Sequence, residues 1–283
     1  MSLPTEPIIL TALSSYRTHI GTQNYRASSA IIPDIKAADP EDPELFDSEE
    51  EVEELRLEFT LNIVGASHDT RPPITHPSDL LTHWDALAPQ LALDGAAVDP
   101  DASWRDKMRD VYKQGVLRGL NERCTGTVTT WEFPSDLAVV LQHVDSLEGP
   151  GWYKYRDNHK TLIFFEGWVR NRGMGDLTEE IVLEQVRTAG EIIERTVGLE
   201  DEYEIAGGWV CSEKGNEATC YVVYSRPQDA DREQRWSWRY VASLGQFGTH
   251  VFENIVELLE WYQSYEEIPE VDWSVSAEEV FQP

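Results

Sequence analysis

Basic residues are scarce. The chain holds 23 Lys and Arg against 52 Asp and Glu, a formal net charge of −29 over 283 residues. That deficit works against any surface that neutralises nucleic-acid phosphates and against docking on an anionic membrane. Cysteine is scarce too. Cys124, Cys211 and Cys220 show neither a CxxC nor a Cys/His spacing, so neither a disulfide framework nor a zinc site is expected. No apolar run approaches the roughly 18 residues of a spanning helix. No basic segment leads into an apolar stretch of signal-peptide type. These absences predict a soluble cytoplasmic protein. Phosphate-loop and Gly-x-Ser-x-Gly signatures are missing, and nothing implies a cofactor. Of the seven scattered histidines, His76 and His83 stand seven apart, whereas a metal pair on one helix face needs a spacing of three or four. The turn Gly173-Met-Gly-Asp176 opens a helix, but its own acids repel an anion, so it reads as a cap.

What the chain has is acid, tryptophan and enough length to bury a core. The acid concentrates in Asp34 to Glu58, with twelve acidic residues against Lys36 and Arg56, a local charge of −10. Pro40 and Pro43 interrupt it. It reads either as a solvated linker or as a docking strip for a basic partner. Before it, Ile8 to Tyr16 is mildly apolar and fits a strand or an arm. At its end Leu55, Leu57, Phe59, Leu61 and Ile63 share one parity, which predicts a half-buried strand over Glu54 to Val64. The organisation expected is an N-terminal extension over 1–75, a domain over 76–265 and an acidic tail over 266–283, with Trp273 and Phe281 as tethers.

Within the domain, Ser78 is placed as the cap of a short helix. A second helix starts at Asp101 or Ser103 and carries Trp104, Met108, Val111, Tyr112 and Gly115 on one face. Gly115 and Gly119 form a Gly-x-x-x-Gly pattern that suits close helix packing. A third helix follows Phe133-Pro-Ser-Asp, with Pro134 in its first turn and Leu137, Val140, Leu141 and Val144 as its apolar face. Lys160 to Val169 reads as a strand. Thr178 to Leu199 reads as the longest helix, with Gly198 as its stop. Three antiparallel strands are expected from Ile205 to Leu244, and a final helix carrying Val251, Phe252, Ile255, Val256, Leu259 and Tyr262. Helices followed by strands give an α+β class: an antiparallel sheet with helices packed on one face, plus the acidic, partly flexible extension.

The block Trp131-Glu-Phe-Pro-Ser-Asp-Leu-Ala-Val-Val-Leu141 with Glu148-Gly-Pro-Gly-Trp152, then Tyr221-Val-Val-Tyr224, Trp238 to Leu244 and Val251 to Tyr262, occurs in an order that resembles the SUKH superfamily. The resemblance spans about residues 100 to 265. It implies an α+β protein-binding module without catalytic residues. Bacterial members are toxin-immunity proteins, and fungal members are regulators of cell-wall synthesis.

Ten tryptophans are many for this length. Trp236 and Trp238 share one strand parity, and Arg235 and Arg239 the other, so one of these faces is a candidate contact patch. Trp is enriched at binding hot spots. The function expected is a noncatalytic protein-interaction or regulatory domain that meets a basic protein partner. Asp42, Glu44, Asp47, Glu49, Glu50 and Glu51 are its acidic contact residues, and Trp236 and Trp238 its anchors. Neither nucleic acid nor membrane is an expected partner, and no oligomeric state is indicated. An immunity-type inhibitor of a basic toxin or nuclease, and an enzyme with an unrecognised site, stay open as alternatives. Chance carboxylate pairs are too numerous among 52 acids to identify an acid–base site.

Overall fold

The computed structural model describes residues 3–41, 46, 48–66, 70–126, 128, 130–149, 163–168, 177–214, 218–228, 235–245, 248–264 and 275–281. The N-terminal segment is not a strand or a loose arm but helix α1 (Glu6–Ala37), 32 residues long. Its inward face falls at helical spacing: Ile9, Leu13, Tyr16 and Ile20, then Ala27, Ile31 and Ile35. Three polar or small residues, Gly21, Asn24 and Ser28, sit on that face and blur the periodicity. Asn24 Nδ2 donates to the Leu93 carbonyl at 2.7 Å. Tyr16 donates to the Gly95 carbonyl and accepts from the Gly149 amide. The first half of α1 thereby joins the main core and the second half a smaller one.

Residues 54–64 are also not a strand. They belong to α2 (Glu49–Val64). Ser48 caps its first turn by accepting from the Glu51 amide at 3.3 Å, and three glutamates lie at the positive end of the helix dipole. Gly65, at φ 66°, closes the helix, with Ala66 N donating to Leu61 O at 2.9 Å, a Schellman-type end. Phe59, Ile63 and Val64 pack into the smaller core with the second half of α1. Two four-residue helices, α3 (Asp79–Thr82) and α4 (Trp84–Leu87), supply Leu80 and Leu87 to the same core. Ser78 makes no side-chain cap there. Asp79 instead accepts from the amides of Thr75 and His76.

Helix α5 (Ala102–Arg123) starts on Asp101, which accepts from Trp104 N at 3.0 Å. It is followed by α6 (Ser135–His143) and α7 (Glu179–Gln185). A Cβ added at Gly115 would meet Val182 at 2.6 Å, and one at Gly119 would meet Val186 at 2.5 Å. Gly115 thus serves the close packing of α5 on α7, and Gly119 that of α5 on the first residue of the strand that follows α7. The long helix expected over Thr178 to Leu199 is divided. Strand β1 (Val186–Thr188) pairs antiparallel with the next strand through Val186↔Trp209. Thr188 and Glu191 then form a capping box that restarts the chain as α8 (Ala189–Ile193), and α9 (Leu199–Glu202) follows Gly198, whose φ is 77°.

The sheet contains β1, β2 (Tyr203–Lys214), β3 (Ala218–Pro227), β4 (Ser237–Ser243) and β5 (Thr249–Phe252), antiparallel throughout and in sequence order. Val251 and Phe252 lie in β5, and the final helix α10 (Ile255–Ser264) begins only after them. In the region expected as a strand over 160–169, the described residues 163–168 make one isolated bridge, Phe165↔Leu147. Trp209, Cys220, Val222, Tyr240 and Ala242 turn to the side of α1, α5, α6, α7 and α10 and form the main core with them. Tyr221, Val223 and Val241 face the other way, where α8 and α9 bring Ile192 and Leu199. This is an α+β fold on a five-stranded antiparallel sheet. Helix α11 (Ala277–Phe281) lays Phe281 against Phe46 and the smaller core, as expected of a tether. Trp273 lies outside the described residues.

Candidate functional site

Two surfaces carry the chemistry expected of a contact site. The first is the outward face of α2. Its buried stripe leaves Glu50, Glu54 and Glu58 exposed every four residues, with Glu49, Glu51 and Glu53 exposed beside them. Arg56, the one base in the helix, turns inward. Its Nε donates to the Ala38 carbonyl at 3.1 Å, and it pairs with Glu53 and Asp39. Among the described residues Glu50, Glu54 and Glu58 have no salt-bridge partner. Like charges four apart on a helix cost about 0.2–0.5 kcal/mol per pair, so this face holds a repulsion that a cationic surface would relieve. Asp42, Glu44 and Asp47 lie outside the described residues. The stretch read as a linker over 34–58 thus includes the end of α1 and the acidic half of a packed helix.

The second surface is a groove of about 810 Å³ at the end of the sheet where β3 finishes and β4 begins. The register pairs Tyr224 with Trp238. Their ring centroids are 4.9 Å apart, and Trp131 lies 5.5 Å from Tyr224. Trp236 stacks on Tyr224 at 5.9 Å with planes 17° apart, and Arg226 sits over its ring at 5.2 Å. Trp238 in turn meets the buried Trp209 edge-on at 5.2 Å. Trp236 and Trp238 therefore do share one side of the sheet. They are half-buried, where the aromatic core runs out to solvent. Arg239 points to the opposite face, buried, with its Nε donating to Glu253 at 2.8 Å and its guanidinium over Tyr203. Burial, and then the nearby Glu132 charge, raise the Tyr224 phenol above its ordinary pKa. Tyr224 and Trp131 were not singled out with Trp236 and Trp238 in the sequence. The signal for Tyr224 was its position two residues after Val222 in a strand. Trp131 is brought in only by the tertiary fold.

The other ionisable groups with strong surroundings hold the fold together. Asp145 accepts from Arg105, from the Asp99 amide and from Trp168 Nε1. Asp94 is pushed upward by burial even with Arg17 at 2.5 Å. Cys124, Cys211 and Cys220 are free and buried, and burial raises all three thiols. Among the described residues there is no group of three His, Cys, Asp or Glu placed to hold a metal, and no helix is long and apolar enough to cross a membrane. No protein-family model, no curated protein and no solved structure matches this chain.

Proposed function

We propose that this protein is a noncatalytic protein-interaction domain of SUKH type that binds a basic protein partner through the outer face of α2. The observation that carries this reading is the stripe Glu50, Glu54 and Glu58, exposed at helical spacing on a helix whose one arginine is turned away from it. A rigid helix presents these charges at fixed positions, so little ordering is lost on binding. The field of a chain with net charge −29 steers cationic partners and fades with salt. The setting we propose is the cytoplasm, which suits three cysteines held as free thiols.

The test uses the full chain as bait in native lysate, beside a variant with Glu50→Gln, Glu54→Gln and Glu58→Gln. Proteins bound by the parent at low salt, released at high salt, basic in composition and depleted on the variant are the expected result. Equal recovery on both baits would show that this face is only a solvated helix surface. Deleting residues 34–58 is not a usable test, because it removes Phe59's packing frame along with the charges.

A further inference from the structure

The groove at the end of the sheet offers a different chemistry from the acidic helix. Trp131, Tyr224, Trp236 and Trp238 line it together with Pro134 and Pro227. Several indole and phenol groups of the core are satisfied within the protein: Trp209 Nε1 donates to Tyr112 Oη at 2.6 Å, Trp168 Nε1 to Asp145 and Tyr240 Oη to Asp136. Trp238 Nε1 donates to the Glu132 carbonyl at 2.9 Å. In the groove, however, the Tyr224 hydroxyl and the Trp236 indole N–H have no hydrogen-bond partner among the described residues. The exposed Glu132 carboxylate likewise has no basic partner among them. The rings themselves are fixed. Tyr224 and Trp236 stack, and Arg226, held by Glu204 at 2.5 Å, covers Trp236.

A left-handed polyproline II segment matches this set of groups. Its prolines have no N–H, and its carbonyls project outward without internal partners, so it asks a receptor for donors. An N–H and an O–H are among the groups the groove leaves unbonded to the described residues. Its pyrrolidine rings are flat apolar bodies that pack against fixed aromatic rings at low entropic cost. A helical ligand would keep its carbonyls to itself, and a strand would require paired donors and acceptors along an edge. Charge sets the direction. Glu132 follows Trp131, while the exposed Arg235 precedes Trp236, so a basic residue is favoured at the Trp131 end and disfavoured at the Trp236 end.

We infer that the groove formed by Trp131, Tyr224, Trp236 and Trp238 binds a proline-rich segment in the polyproline II conformation, with a basic residue of that segment over Glu132. This rests on the reading of the chain as a protein-interaction domain, but not on the acidic face of α2.

The probe is a proline decamer capped by one arginine, titrated into the full chain and followed by tryptophan fluorescence and by the indole N–H resonances. Saturable binding below roughly 1 mM is expected, with the Trp236 resonance shifting. Tyr224→Phe removes one hydroxyl and should weaken binding about 2- to 10-fold. Trp236→Ala should weaken it more than about 10-fold. Glu132→Gln should weaken the arginine-capped probe about 2- to 5-fold and leave the uncapped decamer unchanged. If Trp236→Ala loses its fold by circular dichroism, Tyr224→Phe still decides. The inference is overturned by the absence of saturable binding, by equal affinity for a peptide with alternate prolines replaced by alanine, or by unchanged affinity in Tyr224→Phe. The triple glutamine variant of α2 should bind the probe like the parent, so failure here and failure of the acidic-face reading are distinguishable.

Discussion

Asp136 is the residue whose loss should damage the fold most for its size. It lies in the block Phe133-Pro-Ser-Asp and is 4 % exposed. One carboxylate oxygen accepts from Tyr240 Oη at 2.7 Å and from the Leu137 amide at 2.9 Å, and the other from the Ile255 amide at 2.9 Å. It therefore ties the start of α6 to a central strand and to the first residue of α10. Asp136→Ala leaves the Tyr240 hydroxyl and the Ile255 amide in a dry site without a partner, at about 1–3 kcal/mol each, so a loss of about 3–5 kcal/mol is expected. Asp136→Asn keeps the shape. Its carbonyl accepts from Ile255, and its amide donates to Tyr240, whose hydroxyl rotates to accept, but that amide then faces the Leu137 N–H and cannot accept from it, so the loss should be about 1–3 kcal/mol. Tyr240→Phe alone should cost about 1–2 kcal/mol. In the double variant with Asp136→Ala the two changes should fall short of additive by about 1–2 kcal/mol, since they share one bond. Urea unfolding measures this, as a shift in midpoint with the slope unchanged. A loss below about 1 kcal/mol for Asp136→Ala, or full additivity with Tyr240→Phe, would refute the account of Asp136 as the joint between these three elements.

Gly115→Ala and Gly119→Ala should each destabilise by about 1–3 kcal/mol, because the added carbon drives into Val182 or Val186. Val182→Ala should recover part of the Gly115→Ala loss and none of the Gly119→Ala loss, as thermal unfolding would show. Glu191→Ala removes a capping box and should cost about 1 kcal/mol at pH 7. The Thr188 backbone amide, its hydroxyl and Arg123 hold the Glu191 carboxyl below the usual carboxylate range. Its stabilisation is thus present above the unfolded value and lost as pH falls through the lower folded value. Stability curves of parent and variant should converge as the pH drops below about 4. An α2 variant with glutamine at 54 and 58 only, which keeps Glu50 at the positive end of the helix dipole, should melt slightly above the parent at low salt, by relief of about 0.2–0.5 kcal/mol per pair, and the gap should close in high salt.

Three of the five strands, β2 to β4, were legible because they obey one simple rule, whereas β1 was read within a helix and Val251 and Phe252 of β5 within the final helix. In β3 and β4 alternate residues face the main core, and the turn signals fall between apolar runs, so Tyr221 to Tyr224 and Trp238 to Ser243 read directly. Helix α5 was legible from its Asp101 cap and its spacing, and α6 from its spacing, although Pro134, expected in its first turn, is the residue before it. Two helices were not. In α2 the residues Leu55, Leu57, Phe59, Leu61 and Ile63 alternate by chance over glutamates. The true buried set is Arg56, Phe59, Thr60, Leu61, Ile63 and Val64; Arg56, Phe59, Thr60, Ile63 and Val64 recur at spacings of three and four, with an arginine and a threonine where hydrophobes would have marked the face. The Ser48 cap and Gly65 stop carried the better signal. In α1 the inward Asn24 and Ser28 hid the same periodicity, since their partners, Leu93 O and Asn24 O, are a tertiary and a local carbonyl. The break between α7 and α8 was written as Thr188-x-x-Glu191, but a pattern of Val182, Val186, Ala189 and Ile193 overrode it. Of the candidate site, the acids and the two tryptophans were visible as residue types. That Tyr224 and Trp131 complete the groove depends on strand register and on a loop crossing the sheet end, which no local pattern encodes.

Helix α1 sets how the two proposed surfaces work together. Pro4, just before its start, lines the groove, and Ala38, just past its end, accepts from Arg56 in α2. The 32 residues of the helix make a rod about 48 Å long. A partner that carries both a proline-rich and a basic segment must span most of that distance, and an extended chain needs about 14 residues to do so. Below that length the second contact cannot form, and such a peptide should bind no better than its tighter half. Around it the second contact becomes intramolecular, and avidity should appear, declining slowly as the linker lengthens further. A series of fused proline-rich and lysine-rich peptides with increasing linkers reads this out by affinity. A threshold near the rod length ties the surfaces to one partner. Affinity that does not change with linker length would mean that the two halves never bind together, and α1 would then be a structural spine with no part in recognition.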